Sequence, residues 1–116
     1  MPRGNSLTSA PPEAVALALK SLGANLRTAR LRRNLTIAQV AEKIGTGPRA
    51  VGDAEKGKPG SSVGVFAALL WTYGLLGGMA TLADPNNDVE GRTSAETTAR
   101  VRARTRGVTK RVRPLS

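Results

Sequence analysis

The chain has 116 residues and a net charge of +10, and it contains neither cysteine nor histidine. A disulfide framework and a Cys/His zinc site are therefore excluded, and the length leaves room for one small domain with a tail. The charge is lopsided: residues 92–116 hold eight basic residues and a single acid, Glu96, an asymmetry that points to a polyanionic partner, above all nucleic acid, or else to a solvated basic tail.

Hydrophobic residues make up 40% of the chain but aromatics only 3%, so a core has to be built from Leu, Val, Ile and Ala. Residues 1–11, rich in Ser, Pro, Gly and Asn, are expected to form a flexible leader. With one Arg and no apolar stretch, that leader does not read as a secretory signal. From Pro12 to Arg33, Val15, Leu19, Leu22, Leu26 and Ala29 recur at steps of four and three, which predicts a long amphipathic helix.

Asn34 breaks this pattern. Thr36 then stands as an N-cap with Gln39 three positions on, while Leu35 and Val40 are spaced as a hydrophobic staple. The second helix is predicted to bury Ile37, Val40, Ala41 and Ile44 and to stop at Gly45. Pro48 suits the first position of a third helix running to about Lys56 and ending at Gly57. Two short helices joined by a tight glycine turn make a helix-turn-helix.

Ser62 can cap a fourth helix with Val63, Phe66, Leu70 and Tyr73 on one stripe, ended by Gly74. Leu75, Leu76, Met79 and Leu82 predict a short fifth helix that closes before Asp84-Pro85. Val63 to Ala83 carries no charge and is nominally long enough to span a bilayer. Its glycines and hydroxyls, and its division into two short helices, argue for a globular segment instead. The helical domain is thus expected over 12–85, with a loop and basic tail over 86–116. A Thr-capped basic helix fits 93–104, with too little to bury to be stable alone.

The run LRTARLRRNLTIAQVAEKIGTGPRAVGDAEKGKP resembles the Cro/cI-type (XRE) helix-turn-helix family without a gap. The matching positions are Arg30, Leu35-Thr36, Ala41, Gly45 and Glu55-Lys56-Gly57. The resemblance implies an all-α, five-helix DNA-binding domain with an ion pair between Arg30 and Glu55. It also implies a homodimer on an inverted-repeat duplex, with two third helices in successive major grooves. Where the family often has Gln to contact phosphate at the first residue of the second helix, this chain has Ile37. Gly74-Leu75-Leu76, Leu82-Ala83-Asp84-Pro85, Asp88…Gly91 and the terminal KRVR further resemble the HipB-like antitoxins that repress their own operon and bind HipA-type kinase toxins.

On the third helix, Val51 and Ala54 face inward, leaving Arg49, Gly52, Asp53 and Lys56 on the outer face. Arg49 has the chemistry for a bidentate pair to guanine. Asp53 would accept from a cytosine amine, pair with Arg49, or tune the local charge. Gly52 suits a close approach of DNA or another chain. Gly47 opens this helix, and Lys43, Lys56, Lys58 and Arg33 are candidate phosphate neutralisers or plain solvated charges. Trp71, Leu75, Leu76 and Met79 are candidates for a dimer or partner interface, with core packing as the alternative for Trp71. Arg106, Lys110, Arg111 and Arg113 are candidate tail contacts. Acids are sparse and scattered, so the sequence supports no catalytic site, no metal and no cofactor.

The expectation is a cytoplasmic, DNA-binding repressor of the antitoxin type. Two alternatives stand beside it: a phage or mobile-element repressor without a toxin, and a protein-interaction module with weakened DNA reading.

Overall fold

The computed structural model describes residues 6–110, with side chains to residue 105. Every regular element among them is helical: α1 (Ser6–Ser9), α2 (Glu13–Arg32), α3 (Ile37–Ile44), α4 (Pro48–Glu55), α5 (Val63–Thr72) and α6 (Val89–Lys110), with 3₁₀ turns at Leu76–Thr81 and Pro85–Asn87. The chain divides into two compact units, one ending at Met79 and the other beginning at Ala80.

In the first unit α4 packs against α2, α3 and α5. Its Val51 and Ala54, one turn apart, meet Leu26, Val40, Phe66, Leu69 and Tyr73 in a single core, flanked by half-buried Leu19, Leu22, Leu35, Ile37 and Ile44. Val15 lies outside this core and is exposed.

Four helices end in the same way. The chain turns left-handed at Asn34, Gly45, Gly57 and Gly74. At each, that residue's amide donates to a carbonyl three residues back, and the following amide donates to one five residues back: Leu35 to Arg30, Thr46 to Ala41, Lys58 to Asp53 and Leu75 to Leu70. This Schellman arrangement satisfies carbonyls that a helix end otherwise leaves orphaned.

The N-termini are closed just as locally. Thr36 Oγ1 accepts from the Gln39 amide, whose side chain accepts from the Thr36 amide in return. Ser62 Oγ accepts from the Val65 amide. Each short helix is thus delimited by its own sequence before packing is considered.

Two glycines set how closely α2 lies on the end of α4. A Cβ on Gly23 would stand 2.5 Å from the Glu55 carbonyl oxygen and 2.7 Å from that of Ala54. One on Gly57 would stand 2.6 Å from the Leu19 carbonyl. No side chain fits between the two backbones.

Two expectations are corrected, for α5 and for the fifth helix. α5 buries Phe66 and Leu69, with Tyr73 buried just past its end, Leu70 only half-buried and Val63 71% exposed. Nearly every residue of α5 is apolar, so several stripes were equally plausible and the shape of the core selected one. The fifth helix is a 3₁₀ segment with no fully buried residue and only Met79 half-buried. Each glycine of Gly77-Gly78 costs about 1 kcal/mol in an α-helix, and no packing offsets that loss. The leader contains a helical turn, α1.

In the second unit, Asp84 Oδ1 accepts from the Asn86 amide and Asp88 Oδ1 from the Gly91 amide. The latter cap starts α6 at Val89, four residues before the expected Thr93. Thr93 is instead inside the helix, its hydroxyl donating to the Val89 carbonyl. Among the described residues, no helix is long and apolar enough to cross a membrane.

Candidate nucleic-acid interface

The turn between α3 and α4 is built by Gly45, left-handed at φ 78°, and by Gly47, extended at the start of α4. Pro48 occupies the first turn, where a missing N–H costs nothing. α4 is then anchored on its inner side by Val51 and Ala54, both fully buried, and by Glu55.

Glu55 is held by a two-pronged ion pair. Arg30 Nε donates to Oε2 at 2.7 Å and Nη2 to Oε1 at 3.0 Å. Arg30 Nη1 donates to the Leu35 carbonyl at 2.9 Å, so one guanidinium joins α2, the α2–α3 turn and the end of α4. Both side chains are more than nine-tenths buried. The hydrogen bonds to Glu55 push the Arg30 pKa up against the opposing effect of burial, so the guanidinium stays charged throughout the ordinary pH range.

The outer face of α4 carries Arg49 and Lys56, both exposed, with Gly52 and Asp53 half-buried between them. Asp53 pairs with Lys58 at 3.2 Å rather than with Arg49. The protein leaves the space around Gly52 open, with no atom within 4 Å of a would-be Cβ. Beside this face lies an open depression of about 520 Å³ lined by Ala50, Asp53, Lys58, Ser61 and Val65, with Thr8 of α1 at its edge.

The remaining basic candidates divide. Lys43 is exposed on α3, its ammonium 5.8 Å from the Trp71 ring centre. Arg33 is engaged in the fold: Nη1 donates to the Ala29 carbonyl, Nη2 to the Tyr73 carbonyl, both at 2.8 Å, and the guanidinium lies 5.4 Å from the Tyr73 ring centre. It clamps the end of α2 to the end of α5. Trp71 is 57% exposed, Leu75 and Leu76 are exposed, and Met79 is half-buried. Arg106 and Lys110 fall in the backbone of α6 beyond the described side chains, and Arg111 and Arg113 lie outside the described residues.

Sequence reasoning missed Gly23. A glycine in the middle of an otherwise strong helix former was the available signal, since it forfeits about 1 kcal/mol without a packing reason.

Residues 21–82, more than half the chain, match the model of a helix-turn-helix domain. The chain belongs to that family. The domain is of the Cro-type, DNA-binding kind, and in such domains the helix after the tight turn is the one that enters the major groove; here that helix is α4. No curated protein and no solved structure matches the chain.

Proposed function

We propose that the protein is a sequence-specific transcriptional repressor that binds an inverted-repeat duplex as a homodimer. The observation that carries this reading is the presentation of α4: its inner face is fixed by Val51, Ala54 and the buried Arg30–Glu55 pair, while Arg49 stands exposed at its beginning. A rigid helix with one well-placed arginine suits a bidentate contact to guanine. Gly47, Gly52 and Asp53 shape the approach, with Lys43, Lys56 and Lys58 near the phosphates. The exposed Trp71, Leu75 and Leu76 supply an apolar dimer surface at the end of α5.

Enrichment of bound sequences from a random duplex pool tests this. The expected product is an inverted repeat with half-sites about one helical turn apart. Arg49→Ala should lose about 1–3 kcal/mol of discrimination at one base pair per half-site. A pool that never departs from random would leave a protein-interaction module as the reading.

The finer assignment, antitoxin and autorepressor of a HipA-like kinase operon, draws support from the motif residues and from the same exposed surface. Gly74 turns the chain so that Leu75 and Leu76 are presented, and Asp84 and Asp88 cap the turns that follow. Co-purification of a kinase with the protein from its native host tests it. Operator binding with no kinase partner would favour a phage or mobile-element repressor.

A further inference from the structure

Helix α6 is exposed along residues 92–105, apart from its contact with the Pro85–Asn87 turn at its start. A 3.6-residue period places Ala99 and Ala103 in one strip, one turn apart. Arg100 and Arg104 follow them about 100° round one side, and Arg102 stands about 60–100° round the other. Arg100, Arg102 and Arg104 make no ion pair within the described residues. Arg92 differs, since it donates to the Asn86 carbonyl. Glu96 lies four residues before Arg100 on the same flank and offsets about one charge there.

The opposite row is Thr97, Val101 and Thr105. Its hydroxyls are turned back onto the helix, Thr97 donating to the Thr93 carbonyl and Thr105 to that of Val101. That row therefore presents methyl groups. Arg100, Arg102 and Arg104 thus stand on the two flanks between a row of small residues and a row of methyl groups, and the alanine row is the one that lets the helix seat closely.

We propose that α6 is a second DNA-binding element, separate from α4, that lies along the major groove with the Ala99/Ala103 strip toward the base pairs. The choice of duplex DNA over another polyanion rests on the helix-turn-helix reading above. A helix with its side chains is about 10–12 Å across, close to the roughly 12 Å width of the groove. An alanine strip lets it seat deeply, and alanine makes apolar contact with thymine methyls. Arg100 and Arg104 then reach phosphates of one strand and Arg102 those of the other. From Ala95 to Arg104 the helix advances about 14 Å, short enough to remain in the groove before it curves away. Binding would also stabilise a helix that buries little of its own surface.

The test uses the full chain and a duplex DNA of arbitrary sequence, with affinity measured by fluorescence anisotropy across a potassium chloride series. The R100Q/R102Q/R104Q variant should lower the slope of log affinity against log salt by about 2.7 for each bound protomer, or ~0.9 for each phosphate lost. An unchanged slope overturns the inference. The A99L/A103L variant, helical and with unaltered charge, should weaken binding about fivefold or more, the equivalent of one apolar base contact. No loss, or an equal loss in T97Q/T105Q on the opposite row, overturns the seating. So does equal binding to duplex RNA, whose major groove is too narrow to admit a helix.

Sequence enrichment reads α4 independently. A protein with no sequence preference whose slope still falls in the triple variant upholds α6 while refuting the repressor reading. A preference retained with an unchanged slope does the reverse.

Discussion

Replacing Gly23 by alanine is a small change with a sign that the packing decides. In an isolated helix it stabilises by about 1 kcal/mol. Here the new Cβ would sit 2.5 Å and 2.7 Å from two carbonyl oxygens and 2.8 Å from the Glu55 carbonyl carbon, all backbone atoms of α4 that cannot rotate aside. Ordinary contact begins near 3.4 Å, so α2 and α4 must separate locally by almost an ångström. A gap of that size forfeits roughly a quarter to a half of the dispersion energy at each contact it opens, and overpacking of this kind costs ~1–3 kcal/mol.

The neighbouring Arg30–Glu55 pair bridges the same two helices, which places the cost toward the upper end. The net expectation is a loss of about 1–2 kcal/mol, or roughly 4–16 °C in Tm for a domain of this size. Gly52→Ala is the internal control. Nothing lies within 4 Å of its Cβ, so it should gain ~0.5–1 kcal/mol from helix propensity alone. Thermal and urea melts followed by circular dichroism, without DNA, measure both. A Gly23→Ala protein as stable as the parent would refute the close approach of α2 to α4.

Glu55→Ala should lose ~3–5 kcal/mol, because it strands a buried guanidinium. A loss below about 1 kcal/mol would mean the pair behaves as a surface salt bridge. The joint replacement Arg30→Met with Glu55→Leu should recover most of that stability. Tyr73, the sole tyrosine, has its pKa raised above the ordinary 10.0 chiefly by burial. The folded state therefore holds the phenolic proton more tightly than the unfolded state does. The associated stability is fully present below the unfolded value and is lost as pH rises through the higher folded one. Phenolate absorbance in an alkaline titration should appear above the ordinary tyrosine pH, and Tyr73→Phe should abolish this part of the alkaline destabilisation. The Tyr73 hydroxyl is buried without a hydrogen-bond partner among the described residues, so the Phe variant should be at least as stable at neutral pH. A marked loss of stability there would show that the hydroxyl is satisfied in solution.

The helix boundaries were legible in the sequence because their causes are local. Thr36 and Gln39 close a capping box within four residues, and Gly45, Gly57 and Gly74 end helices by a backbone conformation that other residues resist. Asn34 ends α2 by the same device. In the sequence it shows only as a break in periodicity, since asparagine signals the left-handed turn less strongly than glycine does. The inner face of α4 was equally legible, because Val51 and Ala54 stand one helical turn apart with Arg49, Asp53 and Lys56 off their row.

Long-range relations were less so. Arg30 and Glu55 are 25 residues apart, and their pairing came from a family pattern, since no local rule joins them. The buried stripe of α5 could not be chosen from a helix apolar on nearly every side. The need for glycine at position 23 arises only because the end of α4 crosses it. Arg33 looked like a free surface cation until the end of α5 was placed beside it. The sequence by itself determined where the helices begin and end, through hydrogen bonds closed within a few residues. Which faces touch, which charges are left free and how closely two backbones approach were decided by the tertiary structure, because those depend on atoms distant along the chain sharing one small volume.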